Sequence, residues 1–284
     1  MDLADLRAHV AADRAAGATP FLVVGTAGSV STGAVDDLPA IAEICRAEKL
    51  WFHVDGAYGG MAAAAAEAPA ALKGLALADS VAIDPHKWLY APIEAGCALV
   101  RDRAKLVAAF SYHPDYYHLD GAATNFVDYG MQNSRGFRAL KVWLGLRHAG
   151  AAGYRRMIGD DIRLARHLAD VLRATPELEC TSEGLSITTF RFVPADLAAR
   201  TTDPAVAGYL SALNEALLDR LQKGGEAFVS NAVLADERYV LRACIVNIHT
   251  QRDDVAALPA IVLINGRALD ATMRPAELAA GSRA

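Results

Sequence analysis

Short apolar runs alternate with segments of helical periodicity along the first part of the chain. The apolar runs, each of strand length, are residues 21–24, 50–54, 80–83 and 95–100. Helical spacing of apolar residues marks 2–16, 36–49 and an alanine-rich stretch after residue 60. This alternation predicts a layered α/β sheet with mostly parallel strands. The first run is continuously apolar, which is typical of a strand buried on both faces.

From residue 101 onward, the chain has a different order of elements. Its predicted helices are residues 101–110, 135–148, 154–175 and 204–223, and a last helix near Asp253 that Pro259 and Gly266 make irregular. Its predicted strands are residues 226–230, 238–246 and 186–192, the last alternating as a half-buried strand. We therefore predict two domains, a large α/β part over residues 1–145 and a smaller α+β domain over residues 146–284.

Polar side chains follow three of the predicted parallel strands where each strand ends. A loop of small residues and hydroxyls that includes Thr26 follows the first strand, Asp55 follows the second, and Lys87 follows the third. Ligands of such sheets bind at the carboxyl ends of the strands. The sequence therefore predicts one ligand site that contains Thr26, Asp55 and Lys87.

Composition narrows the class of protein. The chain has 284 residues, of which 53% are hydrophobic and 21% charged, so it can bury a core. Its net charge of −5 gives no electrostatic reason to expect a nucleic acid or an anionic membrane as partner. The four cysteines form no Cys-x-x-Cys pair and are interpreted as buried apolar residues of a reducing compartment. The acidic N-terminus lacks a signal-peptide pattern and no uninterrupted apolar run spans a bilayer, so we expect a cytoplasmic protein.

The polar strand ends suit a cofactor that activates amines. Such a cofactor needs a lysine for attachment, a carboxylate that keeps its pyridine nitrogen protonated, and donors for its phosphate. Lys87 and Asp55 match the first two needs, and His86 and Thr26 are candidate donors. Lys87 taken alone would be a solvated surface charge. His53 with Asp55 suggests a metal, but no third ligand is evident, so we predict no metal site.

Three segments resemble the group II pyridoxal-phosphate decarboxylases, in particular their aromatic-L-amino-acid decarboxylase branch. They are residues 24–38, 51–58 and 78–88, with a weaker match at residues 135–141. The resemblance implies a fold-type-I pyridoxal-phosphate-dependent transferase fold, with residues 1–145 as the C-terminal part of the cofactor-binding domain. It further implies pyridoxal 5'-phosphate as cofactor and a homodimer. The expected reaction converts an aromatic L-amino acid to its amine and carbon dioxide.

The same resemblance implies a role for each candidate site residue. Lys87 would form the imine with the cofactor, and Asp55 would pair with the ring nitrogen. Ala57 would pack on a face of the ring, and Thr26 would contact a ring substituent or hold nearby polar groups. His86 would reach the phosphate or the substrate.

A mobile loop of the family carries a tyrosine that protonates the substrate carbon after carbon dioxide leaves. Tyr116, two residues after Pro114, fits that position best, and Tyr117 is the rival. A tyrosine at this position favours decarboxylation, whereas a phenylalanine would indicate the related aldehyde-forming enzymes.

The chain departs from the family in length. The family's chains are longer at the N-terminus, so this chain would be N-terminally truncated and would correspond to roughly the C-terminal three fifths of such an enzyme. The part not represented would include a phosphate-binding loop and a residue that stacks on the cofactor. Two alternatives stay open: another fold-type-I reaction (aldehyde synthase, aminotransferase or lyase), and an inactive or split fragment that needs a partner chain.

Overall fold

The computed structural model describes residues 1–116 and 123–278 of the chain. The chain divides into two compact units. Unit 1 comprises residues 1–26, 36–61 and 71–150, and unit 2 comprises residues 27–35, 62–70 and 151–284.

The described residues form eight strands and six α-helices. The strands are β1 (Leu22–Thr26), β2 (Trp51–Asp55), β3 (Ser80–Ile83), β4 (Cys97–Val100), β5 (Leu178–Gly184), β6 (Ile187–Phe192), β7 (Ser230–Val233) and β8 (Tyr239–Cys244). The helices are α1 (Leu3–Ala15), α2 (Leu38–Glu48), α3 (Arg103–Phe110), α4 (Arg138–Ala174), α5 (Pro204–Gly224) and α6 (Arg252–Met273).

Unit 1 contains a four-stranded sheet in the order β1-β2-β3-β4. The first three strands are parallel and β4 is antiparallel to β3, which confirms the predicted α/β class. The prediction that the first strand is buried on both faces is wrong. Leu22 and Val24 are 42% and 43% exposed, whereas Val23 is buried. The alternating burial along β1 shows that only one of its faces is covered in the described chain.

The alanine-rich stretch after residue 60 is not an α-helix. It forms two short 3-10 helices, Gly60–Ala64 and Ala70–Leu77. Proline disfavours the α conformation of the residue before it, and Pro69 precedes the second of these helices. At Gly74 the backbone lies so close to α2 that an added Cβ would stand 2.5 Å from Leu38 Cβ. Local chain breakers and this close approach outweigh the helix propensity of alanine.

The two helices predicted at 135–148 and 154–175 are the two parts of α4. The backbone leaves helical geometry at Gly150, where φ is 64° and ψ is 172°. Glycine adopts this positive φ without a steric penalty. The apolar face predicted for the first part is exposed in the described chain: Leu140, Trp143 and Leu144 are 43%, 56% and 52% exposed.

Unit 2 contains an antiparallel sheet in the order β5-β6-β8-β7. Sequence patterns missed β5 and placed β7 four residues too early. They also made β6 half-buried, whereas all six of its residues are buried. β6 is an interior strand between β5 and β8, and its Phe190 and Phe192 belong to the apolar core of the unit.

α6 is one continuous helix that contains both residues expected to disrupt it. Pro259 is buried within it, and Gly266 lies against the ring of Phe192. Among the described helices, only α6 is long and apolar enough to cross a membrane by length and composition. Its Val255 and Val262 belong to the core of unit 2, whereas Ile264 is 69% exposed.

The four cysteines are free thiols, as expected, but they are not all buried. Cys45 is buried in α2, and desolvation raises its pKa to about 11. Cys97, at the start of β4, is exposed, so the prediction of four buried cysteines is wrong.

Candidate active site

The predicted attachment lysine lies in a compact turn directly after β3. In this turn the Lys87 amide donates to the Asp84 carbonyl at 2.9 Å, and the Tyr90 amide donates to the Lys87 carbonyl at 3.1 Å. Lys87 Nζ lies 2.9 Å from Asp84 Oδ2. The Lys87 side chain is 39% exposed, so its amine is accessible to a ligand, and it forms an ion pair with Asp84.

Asp55 ends the neighbouring strand, β2. The strand register pairs Asp55 with Thr26 of β1 on one side and with Ala82 of β3 on the other. The carboxylate is exposed, and its Oδ1 accepts a hydrogen bond from the Ala57 amide at 3.1 Å. This bond fixes the start of the turn that follows β2. Thr26 and Asp55 are therefore neighbours at the carboxyl edge of the sheet, as predicted.

The turn after β2 is hydrogen-bonded to the end of β3 and to the lysine turn that follows it. The Gly56 amide donates to the Ala82 carbonyl at 3.0 Å, and the Asp84 amide donates to the Ala57 carbonyl at 3.2 Å. The rings of Tyr58 and Trp88 stack with centroids 4.8 Å apart and planes inclined by 17°. Trp88 is fully buried. This packing determines where the lysine turn lies relative to the turn after β2.

His86 is anchored through one ring nitrogen. Its Nδ1 lies 2.8 Å from the Ala95 carbonyl oxygen and 3.3 Å from the Ala95 amide nitrogen. Its Nε2 lies 4.0 Å from Asp84 Oδ2. The imidazole is therefore held by the main chain on one side while its other nitrogen faces the carboxylate that also pairs with Lys87.

Thr26 is held by its main chain. Its amide donates to Asp36 Oδ2 at 2.8 Å, and the Asp36 amide donates back to its carbonyl at 2.9 Å. The Asp36 carboxylate also forms an ion pair with the N-terminal amine of Met1. These contacts fix the end of β1 and with it the half-buried Thr26.

The candidate loop tyrosines differ in what the structure describes. Tyr116 lies in a turn at the end of the first described segment, and its side chain is 75% exposed. Tyr117 lies outside the described residues.

The segment before Tyr116 is hydrogen-bonded to Asp128, a contact that the sequence did not reveal. Ser111 Oγ donates to Asp128 Oδ1 at 2.9 Å, and His113 Nε2 lies 2.6 Å from the same oxygen. Both hydrogen bonds hold the pKa of Asp128 below its usual value.

His53 has a hydrogen-bond partner on the neighbouring strand. Its Nδ1 lies 2.7 Å from Ser80 Oγ, to which the Trp51 indole also donates at 2.8 Å. Within residues 1–116 and 123–278, no group of three or more histidine, cysteine or acidic side chains is placed to bind a metal ion.

The residue that sequence reasoning missed is Asp84. It precedes Lys87 by three residues, but it received no role because a motif does not show which side chains of a turn meet. Its spacing from the lysine was the available signal, since two residues three apart in a tight turn can bring their side chains together.

Comparison with known proteins identifies relatives of the chain. Residues 1–193 match the family described as pyridoxal-dependent decarboxylase conserved domain. The chain is 35% identical over 256 residues to an aromatic-L-amino-acid decarboxylase of Bacillus atrophaeus, covering 88% of this chain and 52% of that protein. It is 29% identical over 245 residues to a phenylacetaldehyde synthase of a Rosa hybrid cultivar, covering 84% and 48%.

A solved structure agrees with these sequence matches. The crystal structure of Oryza sativa TDC with PLP and tryptamine superposes with a TM-score of 0.85 at 29% identity. The match covers 95% of this chain and 55% of that one. The predicted fold class is therefore confirmed, and the chain spans about half the length of the curated relatives it matches.

Proposed function

Because this chain belongs to the pyridoxal-dependent decarboxylase family, we propose that it takes part in the decarboxylation of an aromatic L-amino acid to its amine and carbon dioxide. The observation that carries this proposal is the arrangement of Lys87 and Asp55. The Asp55 carboxylate ends β2, and the Lys87 amine lies in the turn after the adjacent parallel strand β3. One hydrogen bond, from the Asp84 amide to the Ala57 carbonyl, and the stack of Tyr58 on Trp88 join the turns that follow these two strands.

The described residues fit pyridoxal 5'-phosphate in their chemistry. Lys87 offers a primary amine that is 39% exposed, which an aldehyde can reach. Asp55 offers an exposed carboxylate for the ring nitrogen, and Ala57, two residues later, is small enough to leave space for a ring. When bound, this cofactor supplies an electron sink for the electron pair that remains when the carboxylate leaves as carbon dioxide.

Each side chain then has a defined task. Lys87 Nζ would hold the cofactor by its amine. Asp55 would favour a protonated ring nitrogen by its negative charge. Thr26 would hold a ring substituent or nearby polar groups, and His86 would offer Nε2 to the phosphate or the substrate, because its Nδ1 is held by Ala95. Tyr116, or Tyr117, delivers the proton to the substrate carbon.

The first test is to locate cofactor attachment. The purified chain is incubated with pyridoxal 5'-phosphate, reduced with borohydride and digested, and the modified peptide is identified by mass spectrometry. Carbon dioxide release from tyrosine, tryptophan and dopa is measured in parallel. Lys87→Ala should lose the adduct and reduce carbon dioxide release to background. Lys73→Ala, which removes an exposed lysine of the same unit, is the matched control and should change neither.

The outcomes separate the proposal from its alternatives. An adduct that persists in Lys87→Ala contradicts the assignment of Lys87. An adduct at Lys87 without release of carbon dioxide from any amino acid contradicts decarboxylation by this chain. That second result favours a split fragment that needs a partner chain, which is consistent with the half-length match to the relatives.

The second candidate function is aldehyde synthesis. It is favoured by the similarity to the phenylacetaldehyde synthase of the Rosa hybrid cultivar, which covers 84% of this chain. The same Lys87 and Asp55 would serve this reaction, as they would an aminotransferase or a lyase. Product analysis decides between these reactions, because an aldehyde with ammonia replaces the amine.

Assembly and location are part of the proposal. We propose a homodimer, because exposed apolar side chains of unit 1 are available for burial against another polypeptide chain. We propose a cytoplasmic location, which free thiols such as Cys97 support. Cell fractionation with an antibody to the chain would test the location, and a membrane-bound or secreted pool would contradict it.

A further inference from the structure

An ion pair joins Lys87 to a carboxylate three residues earlier. Lys87 Nζ lies 2.9 Å from Asp84 Oδ2, and the two side chains are 39% and 29% exposed. We propose that Asp84 is a positioning residue for Lys87: its carboxylate holds the Lys87 amine in an ion pair that must open before the amine reacts with an aldehyde. The proposal rests on the proposed function in that Lys87 is the attachment residue.

The position of the Asp84 carboxylate is determined by its main chain. Its amide donates to the Ala57 carbonyl at 3.2 Å, and its carbonyl accepts from the Lys87 amide at 2.9 Å. The next residue is Pro85, whose ring restricts the backbone. Asp84 is therefore bound to both turns of the site, and its side chain emerges beside Lys87.

A second basic side chain lies on the other side of the carboxylate. His86 Nε2 is 4.0 Å from Asp84 Oδ2, while His86 Nδ1 is held at Ala95. The Asp84 carboxylate thus has two basic neighbours, of which Lys87 is the nearer. When the pair between Lys87 and Asp84 opens, His86 Nε2 is the nearest other basic group to the Asp84 carboxylate.

The chemistry of attachment explains why this pair matters. Only the neutral amine has the lone pair that attacks a carbonyl carbon. The ammonium ion first gives a proton to water, the nitrogen then forms a double bond to the aldehyde carbon, and the aldehyde oxygen leaves as water. The Asp84 carboxylate holds the Lys87 amine at 2.9 Å. Lys87 therefore reacts with an aldehyde only when this pair opens.

Acetylation of the cofactor-free chain measures this effect without the cofactor. Limiting acetic anhydride reacts with neutral amines, and mass spectrometry gives the rate at Lys87 relative to the exposed Lys73. In Asp84→Asn the rate at Lys87 should rise about twofold to fivefold, the range for a partly exposed ion pair. Asp84→Glu keeps the charge and should stay near the wild-type rate. Glu94→Gln is the matched control, because Glu94 pairs with Arg138 instead of Lys87.

Salt provides a test that needs no variant. Added salt screens a partly exposed ion pair, so the rate at Lys87 relative to Lys73 should rise with ionic strength in the wild-type chain. This salt dependence tests the role of Asp84 by itself if circular dichroism shows that Asp84→Asn does not fold. An unchanged Lys87 rate in folded Asp84→Asn, an equal rise in Glu94→Gln, or no response to salt would overturn the proposal.

Attachment of pyridoxal 5'-phosphate itself provides the second readout. Its visible absorbance band should appear about twofold to fivefold faster in Asp84→Asn than in the wild type. If acetylation responds as expected and no cofactor attaches to Lys87, the ion-pair role of Asp84 stands and the proposed function fails. If cofactor attaches to Lys87 while Asp84→Asn changes neither rate, the proposed function stands and the role of Asp84 fails.

Discussion

At the scale of single residues, the site depends on short contacts between neighbouring turns. Lys87 and Asp55 were both identified from their positions at the ends of predicted strands. The structure places Asp55 at the end of β2 and Lys87 in the turn after β3, and the turn after β2 is hydrogen-bonded to the lysine turn. Asp84 was not identified, although it is the residue whose carboxylate meets Lys87. The difference arises because a strand end is visible in a sequence pattern, whereas the direction of a side chain within a turn is not.

Tyr116 provides a residue-scale prediction about the reaction. Tyr116→Phe removes a phenolic proton donor, so amine formation should fall about a hundredfold and aldehyde with ammonia should become the main product. Chromatography of the products from tyrosine and dopa measures both changes. Tyr112→Phe is the matched control, since Tyr112 lies in the same segment and is 78% exposed. If only Tyr117→Phe has this effect, the rival assignment is correct.

At the scale of elements, tertiary packing determined the form of two helical segments that helix propensity had predicted wrongly. The alanine-rich stretch became two 3-10 helices, while α6 continued through a proline and a glycine. Gly266 shows the reason in α6. An added Cβ would stand 2.7 Å from Phe192 Cγ, so the absence of a side chain is what allows the helix to lie against β6.

This contact predicts opposite effects for two helical glycines. Gly266→Ala should lower the free energy of unfolding by about 1–3 kcal/mol, because the methyl group overpacks the core beside Phe192. Gly208 in α5 has open space around an added methyl group. Gly208→Ala should therefore raise the free energy of unfolding by up to about 1 kcal/mol, because alanine has the higher helix propensity. Urea denaturation followed by circular dichroism measures both. Equal changes in the two variants would show that helix propensity outweighs packing at Gly266.

At the scale of the whole molecule, unit 1 exposes apolar surface that a globular domain normally covers. Leu22 and Val24 of β1 are more than two-fifths exposed, as are Trp143 and Leu144 of α4. Phe137, immediately before α4, is 74% exposed. Exposed apolar surface of this extent commonly marks a contact with another polypeptide segment. The division into domains at residues 145 and 146 stays a prediction.

The exposed face of α4 gives a prediction about assembly. Analytical ultracentrifugation should find a species of twice the 30.1 kDa of one chain. Trp143→Ser removes a large exposed apolar side chain and should weaken association about tenfold. Met131→Ser, at a residue that is 93% exposed outside α4, is the matched control and should have little effect. A monomer at all concentrations would contradict the proposed homodimer.

Sequence alone determined the α/β class, the strands that lead to Thr26, Asp55 and Lys87, and the chemistry these residues suggest. Such features depend on local periodicity and on residues directly after a strand, and both can be seen in the order of the residues. Only the tertiary structure decided which faces are buried and that Asp84 meets Lys87. Those properties depend on contacts between distant elements and on side-chain directions within turns, which local sequence does not specify.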